Sequence, residues 1–283
     1  EDSDLCLVVL SGGGSALLPA PVDGISLQDK QTITQLLMRG GATINELNCV
    51  RKQLSQIKGG GLARASRAGQ MVALVISDVI GDPLDVIASG PTVDDSSTPG
   101  EALEIISRVI KDTADVPLSI LDRLRRNVSK VDQHSHVDGD RVRNLVIGNN
   151  EFAVRAASAK AAELGYRVVN QGCGMAGVAA EVGRNLAEAC LMILKDETAG
   201  ARPVCVLSGG EPVVQLADTN LARKGGRNQE LVLAACQRLW VDGADNLAIL
   251  SGGTDGEDGP TDAAGAFLDS FVIDEARRLG LQP

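Results

Sequence analysis

Short apolar runs alternate with longer amphipathic stretches along most of the chain. Leu5–Leu10, Met71–Ile76 and Arg143–Gly148 are dominated by Leu, Val and Ile and end at Ser or Gly, which predicts strands. Arg167–Asn170, Val204–Leu207 and Asn246–Leu250 predict shorter ones. Leu5-Cys-Leu-Val-Val-Leu10 has no polar position, so it reads as a strand buried on both faces. Between these runs lie helix-length segments. Ser26–Gly41 opens with Ser26 and carries Asp29 where a capping box needs an acid. Ile44–Ile57 precedes Gly59-Gly60-Gly61, and Glu101–Ile110 and Ser119–Asn127 follow the second strand. Glu151–Gly165 is alanine-rich and stopped by glycine, and Val178–Lys195, Asn228–Trp240 and Asp269–Leu279 complete the set. Strands alternating with helices predict an α/β protein with a largely parallel sheet.

The polar stretch Asp196–Pro203 reads as a linker, after which the spacing of elements changes. A boundary near residue 200 gives a larger α/β domain, 1–200, and a smaller one, 201–283.

Charge and composition then remove whole classes of function. Lys plus Arg number 27 against 37 Asp plus Glu, a net charge of −10, so the broad positive field that draws in nucleic acid is missing. Only five aromatic side chains occur (Phe152, Tyr166, Trp240, Phe267, Phe271), too few for a base-stacking platform. No apolar run approaches the roughly 20 residues of a membrane-spanning helix. The six cysteines are scattered without a C-x-x-C pair, which favours free thiols in a reducing, cytoplasmic compartment. A mitochondrial location is the alternative, because a targeting segment would precede residue 1. His134 and His136 lie in a polar stretch with no second ligand cluster, so neither zinc nor His-based catalysis is expected. A homo-oligomer is compatible with all of this.

The chemistry is carried by glycine. Three predicted strands run into the same tripeptide: Ser11-Gly12-Gly13, Ser208-Gly209-Gly210 and Ser251-Gly252-Gly253. Beyond the carboxyl end of a parallel strand, such a bend lets backbone N–H groups approach an anion. A tight turn explains one copy; three copies in the same place point to anion binding. Lys58-Gly-Gly-Gly61 and Arg223-Lys-Gly-Gly-Arg-Asn228 add cations to flexible backbone. Arg227 stands at the start of a predicted helix, where guanidinium and helix dipole would both favour an anion. Asp78 and Asp255 follow strands and are candidate Mg²⁺ carboxylates, although Asp-Gly pairs are also ordinary turn residues. There is no G-x-x-x-x-G-K-[ST] loop. Gly172-Cys-Gly174-Met-Ala-Gly177 matches a dinucleotide fingerprint, but the acid it needs falls at Asp196 or Glu197, in the linker.

Taken together, several segments resemble the glycerate 2-kinase family, its animal-type members in particular. They are Ser11–Leu17, Asn48–Lys52 through Lys58–Gly61, Ser77–Pro83, Ala88–Thr92, Gly225–Glu230 and Ser251–Gly256 with Gly259–Gly265. The likeness runs from residue 5 to about 280. It implies a Rossmann-like parallel-sheet domain and a smaller MOFRL-like α/β domain. It implies transfer of the γ-phosphoryl group of ATP to the 2-hydroxyl of D-glycerate, giving 2-phosphoglycerate and ADP, with Mg²⁺ required and the site in a cleft between the domains. On this reading Ser11, Gly12, Gly13, Gly14 and Ser15, with Gly209, Gly210, Gly252 and Gly253, face the nucleotide. Arg227 meets transition-state charge, and Asp78 or Asp255 meets metal or substrate hydroxyl. Arg51, Lys52, Lys58 and Asn228 are the candidate substrate-binding residues. The family's Gly-Lys-Ala segment would precede residue 1 and its Thr-Gly-Thr-Asn-type motif would follow Pro283, so the chain reads as the middle of a kinase. Gly172–Gly177 departs from the acidic segment usual at that point. The alternatives are an NAD(P)-dependent hydroxypyruvate reductase, drawing on Gly172–Gly177, and a non-catalytic anion-binding fragment.

Overall fold

The computed structural model describes residues 3–128, 136–195, 202–215 and 224–283. Packing divides the chain into two compact units, Glu1–Asn149 and Asn150–Pro283.

The first unit is built on three parallel strands, β1 (Leu5–Leu10), β2 (Gln70–Ile76) and β3 (Val142–Gly148), adjacent in that order. Four short or medium helices lie between β1 and β2: α1 (Gly14–Leu17), α2 (Leu27–Arg39), α3 (Ile44–Gln53) and α4 (Gly61–Ala65). Two more, α5 (Pro99–Val109) and α6 (Leu118–Val128), lie between β2 and β3. Helices α2, α3 and α5 each open with a full capping box: Ser26 with Asp29, Thr43 with Glu46, Thr98 with Glu101. Each box satisfies two amides that a helix start leaves without partners. These helices share one core, in which Ile33, Leu37, Val50, Leu54, Ile106, Ile120 and Leu124 are almost wholly buried. Burial of each such side chain contributes about 1.5–3 kcal/mol.

The sheet is covered on one face. Met71, Ala73 and Val75 of β2 are buried, with Ala63 and Ile87 among the residues packed beneath the strands. On the other face Leu5, Leu7 and Val9 are 64%, 58% and 68% exposed, and Leu145 and Ile147 of β3 are about half exposed. The expectation that β1 is buried on both faces is therefore corrected. An unbroken apolar run tells what environment a strand tolerates, and the helices of the described residues decide which face receives it. Helix α3 also ends earlier than its periodicity predicts. The chain leaves the helix after Gln53 and crosses back to bond with the segment after α1, where Gln56 N donates to Ala20 O at 2.9 Å.

The second unit contains α7 (Asn150–Glu163), β4 (Arg167–Asn170), α8 (Ala179–Lys195), β5 (Val204–Leu207), α9 (Arg227–Leu239), β6 (Ile249–Gly252), β7 (Gly265–Leu268) and α10 (Ser270–Arg278). Strands β4 and β5 pair in parallel and β6 and β7 form an antiparallel pair, so the pairing is largely, not wholly, parallel. Helices α8, α9 and α10 enclose a core with β6 and β7, including Leu191, Leu231, Leu239, Ile249, Leu268 and Ile273. The expected boundary near 200 falls inside this unit, because β4 pairs with β5 across it. Most of the expected linker, and with it Asp196 and Glu197, lies outside the described residues, as do His134 and Arg223. No helix of the described residues is long and apolar enough to cross a membrane.

Candidate functional site

In the first unit the site grows from the bend after β1. Gly13 has φ +77°, which turns the chain into α1 at a conformation that side chains resist. The amides of Gly12, Gly13, Gly14 and Ser15 meet no protein acceptor among the described residues. The carbonyl of Ser15 would normally bond the amide of residue 19, but that residue is Pro19, which has none. Two cations take the place of that amide. Arg51 Nη2 donates to Ser15 O at 3.0 Å and Lys58 Nζ donates to the same oxygen at 2.9 Å. Lys58 Nζ also donates to Ala88 O at 3.3 Å, and Lys30 Nζ donates to Pro19 O.

Ala88, Ser89 and Gly90 are consecutive left-handed residues, with φ of 51°, 62° and 63°. Such strain costs about 1–3 kcal/mol per non-glycine residue and persists where surroundings over-determine it. Here they do. Gly59 N donates to Ser89 O at 2.9 Å and Gly60 N to Gly90 O at 2.7 Å. Ser89 Oγ donates to Asn48 Oδ1 at 3.0 Å and is 2.6 Å from Ser15 Oγ. Asp78, exposed at the end of β2, has its carboxylate beside Gly12. Segments 11–15, 48–51, 58–60, 78 and 88–90 thus meet in space, although they are scattered over the first 90 residues.

Electrostatics sorts the cations. Lys52 Nζ is 3.4 Å from Asp95 Oδ1 and 3.8 Å from Asp85 Oδ2, so the charge of this candidate substrate-binding residue is balanced within the protein. Lys30, Arg51 and Lys58 have only carbonyl partners among the described residues. Burial, and then the Arg51 charge, push Lys30 down to about 8. Burial, then Arg51 and Lys30, do the same to Lys58, also to about 8. Lys30 escaped the sequence reading, but a signal existed: it lies on the buried stripe of α2 with Ile33 and Leu37.

The second unit holds another cluster. Arg227 begins α9, and its Nη1 is 2.6 Å from Glu211 Oε1, an acid that sequence reasoning did not single out. The start of α9 is already occupied by a carboxylate. Asp258, 2% exposed, accepts from Asn228 N and Asn228 Nδ2 at 3.0 Å, from Gln229 N at 2.9 Å and from Gln229 Nε2 at 3.0 Å. Gly226 is required beside it, since a Cβ there would overlap the Asp258 carboxylate. Ser251 Oγ donates to Asn228 Oδ1 at 2.7 Å. Asn228, a candidate substrate contact, is therefore buried and bonded to Asp258 and Ser251. Asp255 is exposed, and its Oδ1 accepts from Glu257 N at 3.2 Å.

The three Ser-Gly-Gly copies are not equivalent. Gly209 N donates to Gly172 O at 2.8 Å, and Gly210 bridges Met175. Gly252 pairs with Gly265 inside the β6–β7 ladder, and Gly253 N donates to Ala264 O at 2.7 Å. Backbone pairing takes the amides of Gly209 and Gly253, whereas the four consecutive amides from Gly12 to Ser15 meet no protein acceptor among the described residues. The segment of the dinucleotide fingerprint pairs along its length with 209–213. Met175 N donates to Gly209 O at 3.0 Å and Ala179 N to Val213 O at 2.9 Å, while Gly172 and Gly177 bend the chain at φ of +83° and +111°.

Comparisons with known proteins decide between the remaining chemistries. A domain of unknown function, DUF4147, matches residues 1–125, and the MOFRL family matches residues 204–283. A glycerate kinase from Macaca fascicularis is 42% identical over 98% of this chain and 78% of its own length. The chain belongs to the glycerate kinase family. The D-glycerate 2-kinase of Thermotoga maritima is 38% identical, and a crystal structure of a glycerate kinase from that organism superposes with a TM-score of 0.79 over 99% of this chain. The chain spans 64% of the Thermotoga protein and 59% of a human glycerate kinase, to which it is 42% identical.

Proposed function

We propose that the protein is a D-glycerate 2-kinase that transfers the γ-phosphoryl group of ATP to the 2-hydroxyl of D-glycerate. The observation that carries this reading is the meeting, in a chain of this family, of a glycine bend and a set of buried and half-buried cations, whose amides and charges have no acceptor or carboxylate partner among the described residues. Phosphoryl transfer needs positioning and charge neutralisation more than covalent chemistry, and these groups supply both.

The amides of Gly12, Gly13, Gly14 and Ser15 cradle the nucleotide phosphates. Arg51 meets the substrate, with Lys58 behind it. Arg227 leaves Glu211 to neutralise the transferring group; both side chains are about two-fifths exposed, so the exchange needs no unfolding. Mg²⁺ keeps most of its waters and binds through one or two carboxylates plus phosphate oxygens, so it needs no dedicated cage. The described residues hold no cluster of three metal-ligating side chains, which suits Mg²⁺ of that kind, held by Asp78 or Asp255. When bound, the ion offsets charge on the phosphates.

The test is steady-state turnover of the full-length protein with ATP, Mg²⁺ and D-glycerate. Arg227→Ala lowers kcat/KM by a factor of about 10²–10⁴, the loss typical of one transition-state donor. Unchanged turnover removes Arg227 from the reaction.

A further inference from the structure

Lys30, Arg51 and Lys58 come from three separate places, α2, α3 and the segment after it, and converge on the carbonyls of the Ser15–Pro19 stretch. Lys58 is 3% exposed and Lys30 7%. Two cations share the single oxygen of Ser15, and the third reaches a carbonyl four residues on. A carbonyl orphaned by Pro19 needs one donor, and a neutral one would serve. Carbonyls also cancel no charge. Of the other charged side chains nearby, Lys52 is bound to Asp95 and Asp85, and Asp78 lies beside Gly12. Two buried lysines and a half-buried arginine, with no carboxylate partner among the described residues, are an incomplete electrostatic arrangement.

We infer that Lys30, Arg51 and Lys58 form an oxyanion site under the Ser11–Pro19 loop, touched through Arg51 and completed by a carboxylate or phosphoryl group of a reactant. Arg51 is the contact because it is only half-buried and its guanidinium makes one hydrogen bond among the described residues, leaving the planar fork free for a bidentate oxyanion. Lys30 and Lys58 stand behind it and hold the site positive. The inference rests on the kinase reading for the choice of reactants but not for the existence of the site. Lysines held near 8 by burial and by Arg51 regain their protons when an anion arrives.

The experiment is isothermal titration of the full-length protein at pH 8 with D-glycerate or with ADP, each in two buffers of different ionisation heat. Binding of at least one of them takes up protons, and Lys30→Met weakens that binding about tenfold or more and reduces the uptake. Uptake with D-glycerate identifies the carboxylate as occupant; uptake with ADP alone identifies a phosphoryl group. Binding of both without proton uptake, or equal affinity in a folded Lys30→Met protein, overturns the site. If Lys30→Met does not fold, the wild-type proton uptake decides by itself. Turnover without a Lys30 effect would sink this site and leave the kinase reading standing. Lys30-dependent binding without turnover would do the reverse.

Discussion

Asp258→Ala removes the carboxylate that closes the first turn of α9, and its effect can be worked from four hydrogen bonds. The carboxylate receives two backbone amides and two side-chain amides, from Asn228 and Gln229, at 2.9–3.0 Å. Loss of a helix cap alone costs about 0.5–2 kcal/mol. Here the Asn228 donors are also buried and those of Gln229 partly so, and each unsatisfied one adds about 1–3 kcal/mol unless water enters. Partial rehydration reduces the sum, and about 4 kcal/mol is the expected loss, in the range for breaking a buried charged arrangement. In a unit of this size that lowers Tm by about 10–15 °C. Calorimetry reads the Tm, and hydrogen exchange over Arg227–Leu239 locates the change at the start of α9. Acid should reveal the same contact. Burial raises the Asp258 pKa, but the hydrogen bonds from Asn228 and Gln229 outweigh it and leave the carboxyl below its ordinary value. Its contribution is then complete above the unfolded pKa of about 3.9 and fades as pH falls through the lower folded value. The gap between wild type and Asp258→Asn should therefore narrow on acidification below that point. A loss under about 1 kcal/mol, with unchanged protection in α9, would refute the cap and with it the account of how Arg227 is placed.

Two other outcomes follow from the charges. Because Lys30 and Lys58 titrate near 8 when folded and near 10.4 when unfolded, the unfolded chain binds more protons between those values, so stability rises with pH across that window. Thermal melts from pH 8 to 10 in anion-free buffer should show this rise, diminished in Lys30→Met; an equal rise in both proteins would contradict the shift. Glu211→Gln should lower kcat less than Arg227→Ala does, and should have no effect in the Arg227→Ala background, because Glu211 acts only through that guanidinium. Additive losses in the double variant would give Glu211 a role of its own.

Most elements are legible in local patterns along the chain, since apolar runs and capping residues act over a few positions. Ser26 with Asp29 marks α2 as plainly in the sequence as in the structure. Strand β6 was displaced because Ser251-Gly252 reads as a turn, whereas Gly252 pairs with Gly265 across a hairpin. The site was legible in its motifs but not in its partners. Arg51 and Lys52 are neighbours in sequence, yet about 100° of helical rotation sends one to Ser15 and the other to Asp95. Asp258 looked like one more turn acid until its partners proved to lie 30 residues earlier. Gly209 and Gly253 have the composition of an anion loop, but long-range backbone pairing takes their amides. Such pairing leaves no mark on a tripeptide.

The most direct measurement is ³¹P NMR of the full-length protein incubated with ATP, Mg²⁺ and D-glycerate. The account predicts ADP and 2-phosphoglycerate appearing together, with the product abolished when D-glycerate is omitted. Resonances of 3-phosphoglycerate, or ATP left intact beside D-glycerate, would contradict it.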